Sequence, residues 1–171
     1  MTSEQPKTQT SKVDYNYNKM GADWGFENHT EQSPIDILTT EAIPSEDLSF
    51  SLSFKKDTVK DVKLVDEQVT LKASTCISNI EAKLLSGNKL SFESVQFHFH
   101  APSEHTINGK YADLELHIVH KDDGKHDSTN EKRKFAVFGV FFNVDENAKP
   151  HPFIDALKVN EGEKPLDINF Q

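Results

Sequence analysis

The stretch Gln96–His120, QFHFHAPSEHTINGKYADLELHIVH, decides how this chain folds. Two runs in and beside it alternate between apolar and polar residues. Val95, Phe97 and Phe99 alternate with Ser94, Gln96, His98 and His100, and Leu114, Leu116 and Ile118 alternate with Glu115, His117 and Val119. A period of two sends successive side chains to opposite faces of a strand, so each run predicts a strand. Between them lies Asn108-Gly109. That dipeptide is the strongest short hairpin signal, because a type I′ turn needs positive φ at both central residues. The spacing pairs the strand ending near His100 with the strand around His117, antiparallel or nearly so. His98 and His100 then share a face, and His117 comes beside them.

Three neutral imidazoles converging from a rigid sheet are the ligand set of a catalytic zinc, which keeps its fourth tetrahedral position open. A cysteine-rich structural zinc site is excluded, since Cys76 is the only cysteine. Gln96 precedes His98 by two residues, and Glu115 precedes His117 by two. Each therefore lies on the face of the histidine it precedes, where it can accept the ring N–H that a metal-bound imidazole does not use. The bland alternative is a set of polar residues on solvated strand faces. A rival metal reading exists in His98-x-His100-x3-Glu104, which looks like the first cupin motif. Cupins carry a glycine six residues before the first histidine, and here that residue is Phe92.

Outward from this stretch the chain stays rich in strand signals. Ser49–Phe54 alternates, Val59–Leu71 does so more loosely, and Phe135–Val144 is almost continuously apolar. The last predicts a central strand buried on both faces. A short helix is expected over Pro152–Val159, with proline near its start and Phe153, Ile154 and Leu157 at helical spacing. Lys121–Lys134 reads as a charged, solvated loop. No internal repeat is visible. Residues 1–20 are polar, without the apolar core of a signal peptide, and read as a flexible lead-in to one domain over 21–171. The fold class is mainly β, with little helix.

At 171 residues and 19.3 kDa the chain has the length of one domain, yet hydrophobic residues make up only 35%. Soluble domains average nearer 45–50% apolar, so the core is expected to be thin. The charge balance is 19 − 28 = −9, and Arg133 is the only arginine. A nucleic-acid or anionic-membrane partner would call for basic patches and arginine forks, so neither is expected. The longest apolar run is too short to span a bilayer. An intracellular, by default cytoplasmic, protein is expected, and Cys76 reads as a small buried hydrophobe.

Taken together, Gln96–His120, Trp24-Gly25-Phe26, Gln32–Ile37 (QSPIDI) and Phe135–Val144 (FAVFGVFFNV) closely resemble the α-class carbonic anhydrases, over about residues 22–170. The subset with a short loop between ligands fits best. The resemblance implies a large twisted, mostly antiparallel sheet with few short helices. It also implies reversible hydration of carbon dioxide to bicarbonate and a proton at a Zn2+ ion. Residue by residue, His98, His100 and His117 match the zinc ligands, and Gln96 and Glu115 match the groups that orient them. Glu104 matches the glutamate that orients a gate threonine. Val119 and Val137 match the apolar wall that receives CO2. His105 matches a buried structural histidine. His29, His120, His126 and His151 gain no role.

The departures from the family pattern set further expectations. Nothing here matches the family's Leu-Thr-Thr-Pro-Pro-like gate segment, so the chain reads as a C-terminally short member lacking its last strands. Orientation of the attacking group would then suffer, and such orientation is worth orders of magnitude in rate. Val69 stands at the usual proton-shuttle histidine, and Phe26 at an active-site tyrosine. The expected alternatives are an enzyme, weak or completed by a second chain, and a catalytically silent zinc-binding subunit of a larger assembly. In either case a protein partner is expected to cover the sheet at Phe135–Val144 or a neighbouring strand, because natural proteins seldom leave such edges bare.

Overall fold

The computed structural model of the chain describes residues 33–44, 48–67, 70–84, 86–125, 134–159 and 165–168. The 1–20 segment, Trp24-Gly25-Phe26, Gln32, His29, Val69, His126 and Arg133 lie outside the described residues. The elements run in the order β1 (Asp36–Ile37), β2 (Leu48–Phe54), β3 (Val59–Val62), β4 (Val65–Asp66), β5 (Leu71–Ala73), β6 (Ser78–Leu84) and β7 (Lys89–His100). There follow β8 (Thr106–Ile107), β9 (Lys110–Tyr111), β10 (Leu114–Asp122), β11 (Phe135–Phe142), α1 (Pro152–Ala156) and β12 (Leu166–Ile168).

The main sheet has seven strands, in the order β11-β10-β7-β5-β4, with β6 also on β7 and β2 on β6. All of its pairings are antiparallel. Strand β7 is its spine, because twelve residues give it room for β10 on one side and for β6 and β5 in succession on the other. The β7–β10 pairing sets His117 opposite His98 and Glu115 opposite His100. Its register shifts between Val119 and His120, which leaves Val95 unpaired in a bulge.

Alternation along β7 and β10 divides the sheet into two faces. Phe97, Phe99, Leu116 and Ile118 point one way and are buried, Phe97 completely. They join Ile77, Val62, Leu64, Leu157 and Ile168 in one apolar cluster. Helix α1 closes over it with Phe153, whose ring meets Phe97 edge-on at 5.8 Å. His120 also turns inward and is fully buried. Its Nδ1–H donates to the Ile118 carbonyl at 2.9 Å, so its Nε2 accepts from the Ser78 hydroxyl at 2.9 Å. A neutral ring is thereby satisfied on both nitrogens.

Three expectations need correction. Phe135–Val144 is not a central strand buried on both faces. Strand β11 ends the sheet, pairing among the described residues only with β10, and Phe135 and Val137 are 58% and 57% exposed. Its second apolar face borders an open pocket rather than a core, and a continuous apolar run cannot tell these apart. Asn108-Gly109 does adopt positive φ at both residues, but it closes its own small β8–β9 hairpin. That hairpin lies within the β7–β10 connection, and β1 pairs with it in parallel. The helix is shorter than expected, ending at Ala156.

Candidate metal centre

The other face of β7 and β10 carries the histidines. The ring centroids of His98 and His100 are 4.8 Å apart, those of His98 and His117 5.2 Å, and those of His100 and His117 4.9 Å. One nitrogen from each ring lies within 4.8 Å of the others, so the trio can hold a metal ion. His100 and His117 are buried and His98 is half-buried.

Neighbouring acceptors decide which nitrogens face the middle. His98 Nδ1 lies 2.8 Å from Gln96 Oε1, and His117 Nε2 lies 2.7 Å from Glu115 Oε1. A carboxylate accepts only, and so does an amide oxygen, so both ring nitrogens donate. In the neutral rings the lone pairs are then left on His98 Nε2 and His117 Nδ1. Burial pushes His98 down to about 4, helped by the neighbouring charges of His100 and His117. Burial likewise pushes His100 down to about 4, with His117 adding to it and Glu115 opposing. Both rings therefore stay neutral at ordinary pH, the state a metal requires. A set of three imidazoles on a rigid sheet fits a zinc ion.

Glu115 anchors the whole arrangement. It is 1% exposed, and its carboxylate accepts four hydrogen bonds. Oε1 takes the ring N–H of His117 and of His105, each at 2.7 Å, and Oε2 takes the backbone N–H of Glu104 at 2.8 Å and of His105 at 2.9 Å. Burial alone would raise its pKa; the His105 amide and the two imidazoles outweigh this and hold it below the usual carboxylate range. His105, half-buried rather than buried, continues the chain of bonds, its Nε2 accepting from Ser33 Oγ at 2.7 Å. A second triplet, His105, Glu115 and His117, is close enough to hold a metal, but its atoms are already committed to one another.

A pocket of about 450 Å³ opens beside His117, lined by Pro34, Ile37, Val137, Gly139 and Phe141 together with Ser33, Glu104, His105 and Glu115. Val137 is thus on the pocket wall, whereas Val119 pairs with it across the ladder and is not among the lining residues. Glu104 extends under the histidines, its Oε2 lying 3.4 Å from His100 Nε2 and 3.8 Å from His117 Nδ1.

Sequence reasoning missed Gly139, which faces His117 across the β10–β11 ladder. A Cβ there would lie 3.3 Å from Glu115 Oε1 and 3.8 Å from His117 Cδ2. A glycine interrupting an apolar strand was the available signal, since it marks a close approach. Ser33 was inside a recognised motif, but its bond to His105 is tertiary and left no trace in spacing.

Fold and site together define a curled antiparallel sheet protein with a histidine-lined, metal-competent face. The family model for eukaryotic-type carbonic anhydrase matches residues 16–169, and the chain belongs to that family. Carbonic anhydrase 1 of Oryctolagus cuniculus is 31% identical over 82% of this chain and 65% of its own length. Alpha carbonic anhydrase 4 of Arabidopsis thaliana is 30% identical over 95% of this chain and 59% of its own length. The chain therefore spans somewhat less than two thirds of these curated relatives. In fold it is similar to a halotolerant carbonic anhydrase from Dunaliella salina, with a TM-score of 0.65 and 24% identity over 93% of this chain and 70% of that one.

Proposed function

We propose that the chain binds a zinc ion through His98, His100 and His117 and hydrates carbon dioxide to bicarbonate. One observation carries this reading. Gln96 and Glu115 each take a ring N–H, from His98 and His117, and one nitrogen from each of His98, His100 and His117 lies within 4.8 Å of the others. A zinc ion on three neutral ligands lowers the pKa of water to about 7, which makes a nucleophile available at neutral pH.

The protein's own groups do the rest. Glu115 holds His117 in its ligand orientation and pins the Glu104–His105 backbone beneath it. Val137, Gly139 and Phe141 give the pocket an apolar wall next to His117, suited to a small uncharged substrate. Because β11 pairs on one side only among the described residues and exposes Phe135 and Val137, a further polypeptide strand on its other edge belongs to the same reading.

Stopped-flow CO2 hydration on zinc-loaded and chelator-stripped chain tests the proposal. A zinc-dependent rate that a sulfonamide suppresses is expected. A rate no higher than buffer would leave the second reading, a zinc-bearing but silent subunit. That reading is favoured by the position of Glu104 among the ligand nitrogens.

A further inference from the structure

We infer that the strand joining β11 comes from a second copy of this chain, whose own β11 lies antiparallel on the same edge about a two-fold axis. This rests on the strand addition proposed above, not on the zinc chemistry, and identifies the added strand. Three observations meet on β11. Among the described residues it pairs only with β10, so its other row of backbone N–H and C=O groups is a template for a further strand. Val137, Gly139 and Phe141 on one face line the pocket of about 450 Å³ beside His117. Phe138, Val140 and Phe142 on the other face line a second pocket of about 460 Å³, together with Phe54, Leu116 and Phe153. A strand laid along this edge meets an apolar pocket wall on each side, so it must itself be apolar on both faces.

The chain offers such a strand in β11 itself, FAVFGVFF. The other long edge strand of the sheet, β2, carries Ser49, Ser51 and Ser53 on one face. A two-fold axis normal to the sheet pairs residues that share a face. With Gly139, next to the middle of β11, on that axis, Phe138 stands opposite the partner's Val140 and Val137 opposite the partner's Phe141. Aromatic and β-branched residues are favourable cross-strand pairs, and an aromatic ring also reaches its diagonal neighbour, here Gly139. The partner's Phe141 thereby adds a wall residue to the pocket beside His117. Charge complements the pairing at both ends. The sequence before β11 reads Lys132-Arg133-Lys134, and the sequence after it carries Asp145-Glu146. Antiparallel self-pairing sets each basic flank alongside the acidic flank of the other copy, twice about the axis. It puts exposed Lys134 diagonally across from the partner's Glu146, whereas a parallel arrangement would set like charges together.

Sedimentation equilibrium on the full chain tests this, with Lys134→Glu and the double variant Lys134→Glu, Glu146→Lys beside wild type. Both positions are exposed, so neither change burdens the fold. Wild type is expected to form a reversible dimer. Lys134→Glu replaces two attractive contacts with two repulsive ones and should raise the dissociation constant at least about tenfold. The double variant restores opposite charges and should return it towards the wild-type value. A chain that stays monomeric at every concentration would overturn the inference and give the edge to a different polypeptide. A dimer indifferent to both variants would overturn it too, as would oligomers that keep growing with concentration, because a two-fold pairing closes on itself. Zinc uptake by the same samples reads the metal assignment separately, since the three histidines belong to one chain.

Discussion

His117 donates its Nε2–H to Glu115 Oε1 at 2.7 Å, and that oxygen also accepts from His105 at the same distance. The bond lies inside the protein, with Glu115 1% exposed, and it selects the nitrogen that His117 turns towards His98 and His100. Replacing Glu115 with glutamine keeps the shape but swaps an acceptor for a donor facing two ring N–H groups. Zinc affinity, read by competition with a chromophoric chelator, is expected to fall about 10- to 100-fold. Unchanged affinity would mean that the ring orientation is set elsewhere.

Gly139 tests the same packing from the opposite strand. A Cβ at this position meets Glu115 Oε1 at 3.3 Å, tighter than ordinary contact, with the carboxylate already fixed by four bonds. Gly139→Ala is expected to weaken zinc binding several-fold while the chain still folds. Gly124→Ala is the control. Its φ of +74° makes it strained for alanine, with no neighbour within 4 Å, so it should cost roughly 1 kcal/mol of stability and leave zinc binding alone. Chelator competition and thermal melts on both variants separate the two effects.

Acid should destabilise the metal-free chain earlier than its carboxylates alone would dictate. Burial, the largest cause in each case, lowers the pKa of His98, His100 and His120, the first two to about 4 from 6.5. Over that interval the unfolded chain takes up protons and the native chain does not. Stability is therefore full above about 6.5 and declines as the pH falls towards 4. Urea midpoints measured between pH 7.5 and 4.5 should fall steadily below 6.5, and a flat profile down to 4.5 would contradict the burial argument.

On the core face, Phe97 is fully buried and meets Phe153 and Phe99 edge-on. Phe97→Ala removes the ring that ties helix α1 to the middle of the sheet. The expected loss is about 3–5 kcal/mol, close to the whole stability of many domains. Ile118→Val, beside it, should cost about 0.5–1.5 kcal/mol, and denaturant titration distinguishes the two.

Much of the site was legible because it depends on strand period alone. Residues two apart on one strand must share a face, so Gln96, His98 and His100, and likewise Glu115 and His117, grouped themselves before any coordinates. What depends on the third dimension was not legible. Strand β6 escaped notice because only one of its inward residues, Ile80, is large and apolar, while Ser78 and Ala82 beside it are small and give only a faint alternation. Phe135–Val144 was misplaced because a pocket wall and a core face are equally apolar in sequence. Glu104 was tied by resemblance to a gate threonine; that its carboxylate lies 3.4 Å from His100 Nε2 and 3.8 Å from His117 Nδ1, with its backbone N–H held by Glu115 eleven residues along the chain, left no trace in spacing.

The central claim is that His98, His100 and His117 hold one zinc ion between them. Calorimetric titration of zinc into metal-free wild type and into His98→Ala, His100→Ala and His117→Ala measures this directly. The predicted result is one zinc per wild-type chain, with each single variant losing most of the affinity while keeping its β-sheet circular dichroism. A His98→Ala variant that still bound stoichiometric zinc with wild-type affinity would contradict the assignment.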